Sequence, residues 1–115
     1  MRMVIAIIQP TKLNAVKTAL ARCGVERMTV CDAQGYGRRR GHSAVYRGAQ
    51  YKTNLLRKLE LEIVVNDDFL DRTIEAISTA ARTGPGGEIG DGKILVVPVD
   101  EVVRISETTR GPGAV

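Results

Sequence analysis

The sequence predicts an α+β domain in which strands and helices follow the order β-α-β-β-α-β. Three observations support this class. An apolar run rich in β-branched residues opens the chain at residues 3–8, apolar residues occupy every second position in residues 58–65, and two segments carry apolar side chains at helical spacing. With 115 residues the chain is long enough for one domain with its own core, spanning residues 1–115.

The first half of the chain predicts a strand, a helix and a second strand. Residues 3–8 form a short β-branched run typical of a buried strand, and residues 28–34 alternate loosely enough to predict another. Between them we expect a helix that begins at a Thr11 cap and ends at Gly24. Its apolar face carries Leu13, Val16, Leu20 and Cys23.

The second half predicts the clearest strand and a second helix. In residues 58–65, the side chains expected to face the core are Leu59, Leu61, Ile63 and Val65. Asn66 or Asp67 is expected to cap the helix, which should end near Gly84. Its apolar stripe comprises Phe69 or Leu70, with Ile74, Ile77 and Ala81. Residues 93–97 predict the fourth strand, residues 98–105 one short element, and residues 106–115 a flexible tail.

This order of elements is that of the ferredoxin-like sandwich, a four-stranded antiparallel sheet with two helices on one face. The other face of the sheet is left uncovered. On the third strand that face carries Lys58, Glu60 and Glu62. A small domain with one open sheet face tends to associate with other copies, so we expect an oligomer.

The connection between the second and third strands, residues 35–58, is the segment that least resembles a buried element. It holds five arginines, two lysines and three tyrosines. A connection of roughly 20 residues without secondary structure is usually functional or disordered. We interpret it as a mobile signalling loop next to a phosphate site.

Composition and charge exclude several classes of function. The net charge of +4 suits a nucleic-acid partner, but aromatic residues make up 3% of the chain and every tyrosine lies in the loop. The stacking platforms of a sheet that binds single strands are therefore missing, and we expect no nucleic acid. No apolar run approaches the ~20 residues needed to span a bilayer, so we expect a cytoplasmic protein.

Catalytic and metal-binding patterns are also missing from the sequence. His42 is the only histidine, and Cys23 and Cys31 have no histidine nearby, so we expect two reduced thiols and no metal site. No nucleophile has an adjacent base. Hydrolysis of the acylphosphatase type would need a glycine-containing loop after the first strand, where this chain has QPTKLN. We therefore expect no enzyme activity.

Two glycine-rich segments are candidates for phosphate contacts. In GEIGDGK, residues 87–93, glycines allow backbone N–H groups to face an anion and Lys93 adds positive charge, although the same residues suit a plain turn. In GYGRRRG, residues 35–41, Arg38 offers a bidentate fork, although these residues equally suit a solvated basic loop. Arg104 is a third candidate cation.

Taken together, these segments resemble the PII nitrogen-regulatory signal-transduction proteins. The resemblance covers nearly the whole chain, and the order of the motifs makes it specific. The matching pieces are AIIQPTKLNAVKTAL, GYGRRRGH, YRGAQY, ARTG, IGDGKI and VVRI.

The resemblance implies a homotrimer that binds ATP or ADP in the clefts between subunits, and 2-oxoglutarate together with Mg-ATP. It implies a loop that docks on protein targets such as an ammonium transporter or a regulatory enzyme, and contact with a membrane only through such a transporter. It also implies modification by a uridylyltransferase on the second tyrosine of YRGAQY, which is Tyr51.

The resemblance assigns site residues by position. Thr29 and Val64 are expected at the adenine, and Lys58 at a 2-oxoglutarate carboxylate. The phosphates are expected to contact Gly37, Arg38, Gly90, Asp91, Gly92, Lys93 and Arg104.

The chain departs from the family pattern where ligands are expected. Arg39 replaces a glutamine that helps to hold Mg²⁺ and the oxo-acid, and a cation would repel Mg²⁺. Ser106 replaces an arginine, Gln9 a lysine, and Gln50 a small or acidic residue beside Tyr51, while a short insertion precedes IGDGK. These departures leave a second hypothesis open, a divergent PII-like paralogue that senses another small molecule and regulates a different target.

Overall fold

The computed structural model describes residues 1–36, 45–46, 49–50 and 55–115. The helices and strands are β1 (Arg2–Ile8), α1 (Leu13–Arg22), β2 (Thr29–Tyr36), β3 (Val45–Tyr46), β4 (Ala49–Gln50), β5 (Leu55–Val65), α2 (Leu70–Ala81) and β6 (Gly92–Pro98). Three short 3₁₀ turns accompany them at Pro10–Lys12, Asp67–Phe69 and Gly111–Ala114.

The main sheet has the strand order β2-β5-β1-β6, and all neighbours are antiparallel. β1 and β2 therefore run parallel on either side of β5, the split arrangement of the ferredoxin-like motif. The predicted α+β ferredoxin-like fold is confirmed. A separate two-stranded ladder pairs β3 with β4.

The core lies between the sheet and the two helices. β1 and β5 contribute directly opposed pairs, such as Val4 with Ile63, whose side chains are fully buried. From the helices, Leu20 of α1 and Ile77 of α2 are buried against them. The expected inward alternation along β5 is observed, because all of its predicted core residues are buried. None of the helices in the described part of the chain has the length and apolarity to cross a bilayer.

The helix starts differ from prediction, whereas the end of α1 agrees with it. Thr11 lies inside a 3₁₀ turn that begins at Pro10, and no side chain caps that turn or α1. The Asn66 amide donates to the Pro112 carbonyl oxygen at 3.2 Å, and Asp67 binds the amino terminus, so neither caps α2. Gly24 adopts φ +86° and ends α1 as expected.

The predicted loop of residues 35–58 is shorter than expected at both ends. Gly35 and Tyr36 continue β2, where they pair with Leu56 and Leu55 of β5. Tyr36 is 70% exposed, so this extension of the ladder leaves the core. Strand pairing carries on past the core because the backbone hydrogen bonds of the ladder need no buried side chain.

The tail, predicted to be flexible, instead folds back on the domain. Val103 forms a bridge with Arg110, whose guanidinium pairs with the Glu101 carboxylate. Ala114 is buried with 6% exposure. Glycine and proline in this segment form a 3₁₀ turn, which explains why its composition alone resembled that of a loose end.

We predict that Gly92→Ala lowers the free energy of unfolding by about 3 kcal/mol, measured by chemical denaturation. Gly92 has φ +118°, and a Cβ atom there would lie 1.7 Å from the Ile7 carbonyl oxygen. Gly86→Ala is the matched control, because a Cβ atom there would meet nothing within 4 Å. A change of less than about 0.5 kcal/mol for Gly92→Ala would contradict this account of the β1–β6 contact.

Candidate functional site

The turn between α2 and β6 is organised by the carboxylate of Asp91. One oxygen accepts hydrogen bonds from the backbone N–H groups of Thr83 at 2.9 Å and Glu88 at 2.7 Å. The other accepts the Thr83 hydroxyl at 2.5 Å. The side chain of Asp91, which was predicted among the phosphate contacts, is thus directed towards donors of its own chain.

These hydrogen bonds change the acidity of Asp91. The Thr83 hydroxyl, followed by the backbone N–H groups of Thr83 and Glu88, stabilises the carboxylate and lowers the pKa of Asp91 to about 2. The turn is therefore closed by an ionised side chain at neutral pH. Gly90 and Gly92, on either side of Asp91, both have positive φ, which lets the backbone follow the carboxylate so tightly.

The carbonyl oxygen of Gly90 joins this turn to two strands of the sheet. The Gln9 side chain donates to it at 2.7 Å and the Lys58 ammonium at 2.6 Å. Lys58 is only 8% exposed. A Cβ atom at Gly35 would lie 3.2 Å from Lys58 Cγ, so the glycine makes room for this side chain. The structure thus brings together Lys58 and the predicted phosphate turn.

A cavity of about 300 Å³ opens beside the turn, between β1, α2 and β6. Ile74 and Ile77 form part of its apolar wall, and Arg82 lines it as well. Lys93 borders the cavity, but it pairs with Ile7, so its side chain lies on the open face of the sheet, away from α2. Gly92 lies at its edge, with Lys93 exposed at the start of β6. The cavity therefore combines an apolar surface and one cation, Arg82, with a tight glycine turn that leads to Lys93.

Thr29 and Val64 lie together on the open face of the sheet. Thr29 pairs with Glu62, two residues before Val64, so both side chains point away from the helices. Val64 pairs with Met3 of β1, whereas Lys93 pairs with Ile7. These two β1 partners are four residues apart, which corresponds to about 13 Å. Within one chain, the expected adenine contacts are therefore well separated from Lys93.

The remaining predicted residues fall into two groups. Arg104 donates to the Glu107 carboxylate and to the Val115 carbonyl oxygen, both at 3.4 Å. It therefore lies within the folded tail. The other group lies outside the described residues and comprises Gly37, Arg38, Arg39 and Tyr51.

Sequence reasoning assigned no role to three residues of this site. Gln9 was noted only as a departure from the family pattern, although its amide binds the Gly90 carbonyl. Arg82 and Thr83 belong to the motif ARTG, which carried part of the resemblance. That motif was the available signal, because Thr83 holds Asp91 and Arg82 lines the cavity.

The described geometry can be compared with known proteins. A family model described as "Nitrogen regulatory protein P-II" matches residues 1–109. The chain belongs to this family. The chain is similar to nitrogen regulatory protein P-II of Azospirillum brasilense, with 48% identity over the full length of both chains. It is 47% identical to nitrogen regulatory protein GlnK1 of Methanosarcina mazei, over all of this chain and 97% of that protein.

Membership of the P-II family confirms the resemblance inferred from the motifs. A third relative, nitrogen regulatory protein P-II of Nostoc punctiforme, is 46% identical over the full length of both chains. P-II family proteins are regulatory rather than catalytic. The match over residues 1–109 includes the turn held by Asp91 and the cavity beside it.

We predict that Asp91→Asn lowers the free energy of unfolding at neutral pH by about 1–2 kcal/mol, because an amide nitrogen would face N–H donors. Asp91 has a lower pKa in the folded chain than its ordinary value of 3.8. Its ionised form therefore stabilises the fold above about pH 4, and this contribution disappears as the pH falls towards 2.

The measurement is chemical denaturation of wild type and variant at several pH values. The difference between the two proteins should shrink from neutral pH to pH 2–3. Asp100→Asn, at an exposed position after β6, provides the control. A difference that stays constant over this pH range would show that the Asp91 charge does not hold the turn.

Proposed function

We propose that this chain is a non-catalytic signal-transduction regulator of nitrogen metabolism that senses adenine nucleotides. The observation that carries the proposal is the turn ending at Lys93, which Asp91 holds in place beside a cavity lined by Arg82. The relatives are named nitrogen regulatory proteins, which supports a role of this chain in nitrogen regulation. The bound ligands we propose are ATP and ADP.

The chemistry of the turn suits a phosphate chain. Gly90 and Gly92 have positive φ, which lets the backbone form the tight turn that leads into Lys93. Arg82 lines the cavity and Lys93 ends the turn, so both supply positive charge near it. Because the Asp91 carboxylate is bound by donors of the turn, it holds the turn in place.

The open face of the sheet supports assembly into a homotrimer with a nucleotide in each cleft. Met3, Ile5, Ile7 and Leu95 lie on that face, and Leu95 is 43% exposed. Covering these side chains with another copy would remove apolar surface from water. Thr29 and Val64 are separated from Lys93 of the same chain by about 13 Å in the direction of β1. Residues from a second copy could therefore complete a nucleotide site that begins at Lys93.

Signalling is proposed to run from this site into residues 35–58. Gly35 of β2 and Lys58 of β5 lie at the base of that segment, and Lys58 also binds the turn. A ligand that changes the Lys58–Gly90 contact would bias the conformations that the segment adopts. Its protein targets are proposed to be an ammonium transporter or a regulatory enzyme, in the cytoplasm, with Tyr51 as the site of uridylylation.

This chain differs from the family pattern at residues expected to bind 2-oxoglutarate and Mg²⁺. Lys58, the expected carboxylate partner, already donates to the Gly90 carbonyl, which Gln9 also binds. Arg39 brings a cation where a Mg²⁺ ligand is expected. These features favour the second candidate function, a divergent PII-like regulator that responds to another small molecule.

Isothermal titration calorimetry with ATP and ADP tests the nucleotide proposal. We predict that Lys93→Ala weakens binding by about 10- to 100-fold, because a charged phosphate contact contributes about 1.5–3 kcal/mol. Lys17→Ala, an exposed lysine of α1, is the matched control and should bind like wild type. The proposal fails if neither nucleotide binds the wild-type protein at millimolar concentration.

A second titration separates the two candidate functions. We predict that Arg39→Gln increases the Mg-ATP-dependent affinity for 2-oxoglutarate, because it removes a cation that repels Mg²⁺ and restores a neutral oxygen ligand. Arg40→Gln removes the same charge at the next position and should leave the affinity unchanged. Equal affinity of wild type and Arg39→Gln would mean that Arg39 does not set the response to the oxo-acid.

A further inference from the structure

Three potential metal ligands meet on the open face of the sheet. Cys31 of β2 lies directly opposite Glu60 of β5, and Glu62 follows two residues later on the same face. The thiol sulfur and one carboxylate oxygen from each glutamate all lie within 4.8 Å of one another. All three side chains are half-buried. We call Cys31, Glu60 and Glu62 the strand triad.

In the part of the chain that the structure describes, no hydrogen bond or ion pair offsets the negative charge of the two glutamates in the strand triad. Within the described residues, none of its three side chains takes part in a hydrogen bond or an ion pair. Asp91, the half-buried carboxylate of the turn, accepts three hydrogen bonds by comparison. Two carboxylates this close repel each other unless a cation lies between them.

The neighbouring side chains on the same face offer no such cation. Glu62 is flanked by Thr29 and Ile5, and Glu60 by Ile7 on the β1 side. Lys58 precedes Glu60 by two residues on β5, but its ammonium group binds the Gly90 carbonyl oxygen at 2.6 Å. Lys58 keeps its charge but does not pair with a carboxylate of the strand triad, which leaves both carboxylates available to an ion.

We propose that the strand triad binds a divalent cation of the zinc class. Zn²⁺ combines thiolate and carboxylate ligands, whereas Mg²⁺ and Ca²⁺ take oxygen ligands. Three protein ligands leave the fourth tetrahedral position for water or a ligand from another copy. Zinc bonds of 2.0–2.3 Å place tetrahedral ligand atoms about 3.5 Å apart, a contraction that rotation of the glutamate side chains can supply.

Binding would release the thiol proton of Cys31 to solvent and leave the thiolate on the metal. The ion would neutralise both carboxylates and connect the edge strand β2 to the central strand β5. The positions of cysteine and histidine in the sequence predicted no metal site. The strand triad is not visible in that pattern, because Cys31 and Glu60 are brought together only by strand pairing. This proposal does not rest on nucleotide sensing.

Cobalt absorbance spectroscopy on tag-free protein, stripped of metal by a chelator, tests the proposal. Co²⁺ replaces Zn²⁺ in tetrahedral sites, and a Co²⁺–thiolate bond produces a charge-transfer absorption. We expect one Co²⁺ per chain with this absorption, its loss on addition of Zn²⁺, and no loss in excess Mg²⁺. Absence of the thiolate absorption in wild type would overturn the proposal.

Two cysteine variants locate the site. Cys31→Ser should lose the absorption, whereas Cys23→Ser should keep it, because Cys23 lies after α1 and its thiol donates to the Leu20 carbonyl oxygen at 3.2 Å. Glu60→Gln leaves Cys31 in place but should weaken Co²⁺ binding by at least about tenfold. Loss of a residue that only hydrogen-bonds to a metal ligand already weakens metal binding by about that factor, and Glu60 is proposed as a ligand itself.

The glutamate variant also covers the case in which Cys31→Ser fails to fold, which circular dichroism would reveal. Unchanged Co²⁺ affinity in a folded Glu60→Gln protein would overturn the proposal. So would an absorption that survives in Cys31→Ser and disappears in Cys23→Ser.

Discussion

Pairing between β1 and β5 sets the positions of the proposed site residues on the central strands of the sheet. Val4 opposite Ile63 and Ala6 opposite Leu61 are fully buried pairs. Because side chains alternate along a strand, the same register sends Glu60 and its neighbours to the opposite face. A slip of one residue would expose the core pairs and bury carboxylates, so the hydrophobic pattern enforces one register. The placement of Lys58 at the turn also follows from it.

The Gly90 carbonyl oxygen extends this constraint from the sheet to the turn. Gln9 follows directly after β1, and Lys58 lies in β5 opposite Ala33, so both donors are carried by the central strands. Gly92 adds a third connection, because its lack of a side chain lets β6 begin against the Ile7 carbonyl. The base of residues 35–58 and the proposed phosphate site are thus parts of one framework.

The sequence was sufficient wherever one local signal determined the outcome. Alternation predicted the buried face of β5, and Gly24 predicted the end of α1, because a left-handed residue there needs no tertiary contact. It failed where a polar side chain had a distant competitor. Asn66 was expected to cap α2, but its side chain donates to the Pro112 carbonyl, and the hydrogen bonds from Thr83 to Asp91 were not predicted. The strand triad likewise depends on strand pairing, which short-range patterns do not reveal.

The open face of the sheet combines apolar side chains with two carboxylates, and both affect how another copy could cover it. Its apolar side chains favour contact with another copy, but Glu60 and Glu62 lie among them without a cation partner in the described chain. Covering the face would remove these carboxylates from water and raise the free-energy cost of their charge. A metal ion held by the strand triad, or a basic residue such as the exposed Lys93 of another copy, would offset that cost. Assembly through this face therefore depends on neutralising the two carboxylates. The half-buried thiol of Cys31 beside them favours a metal ion over a basic residue, because a thiolate is a metal ligand.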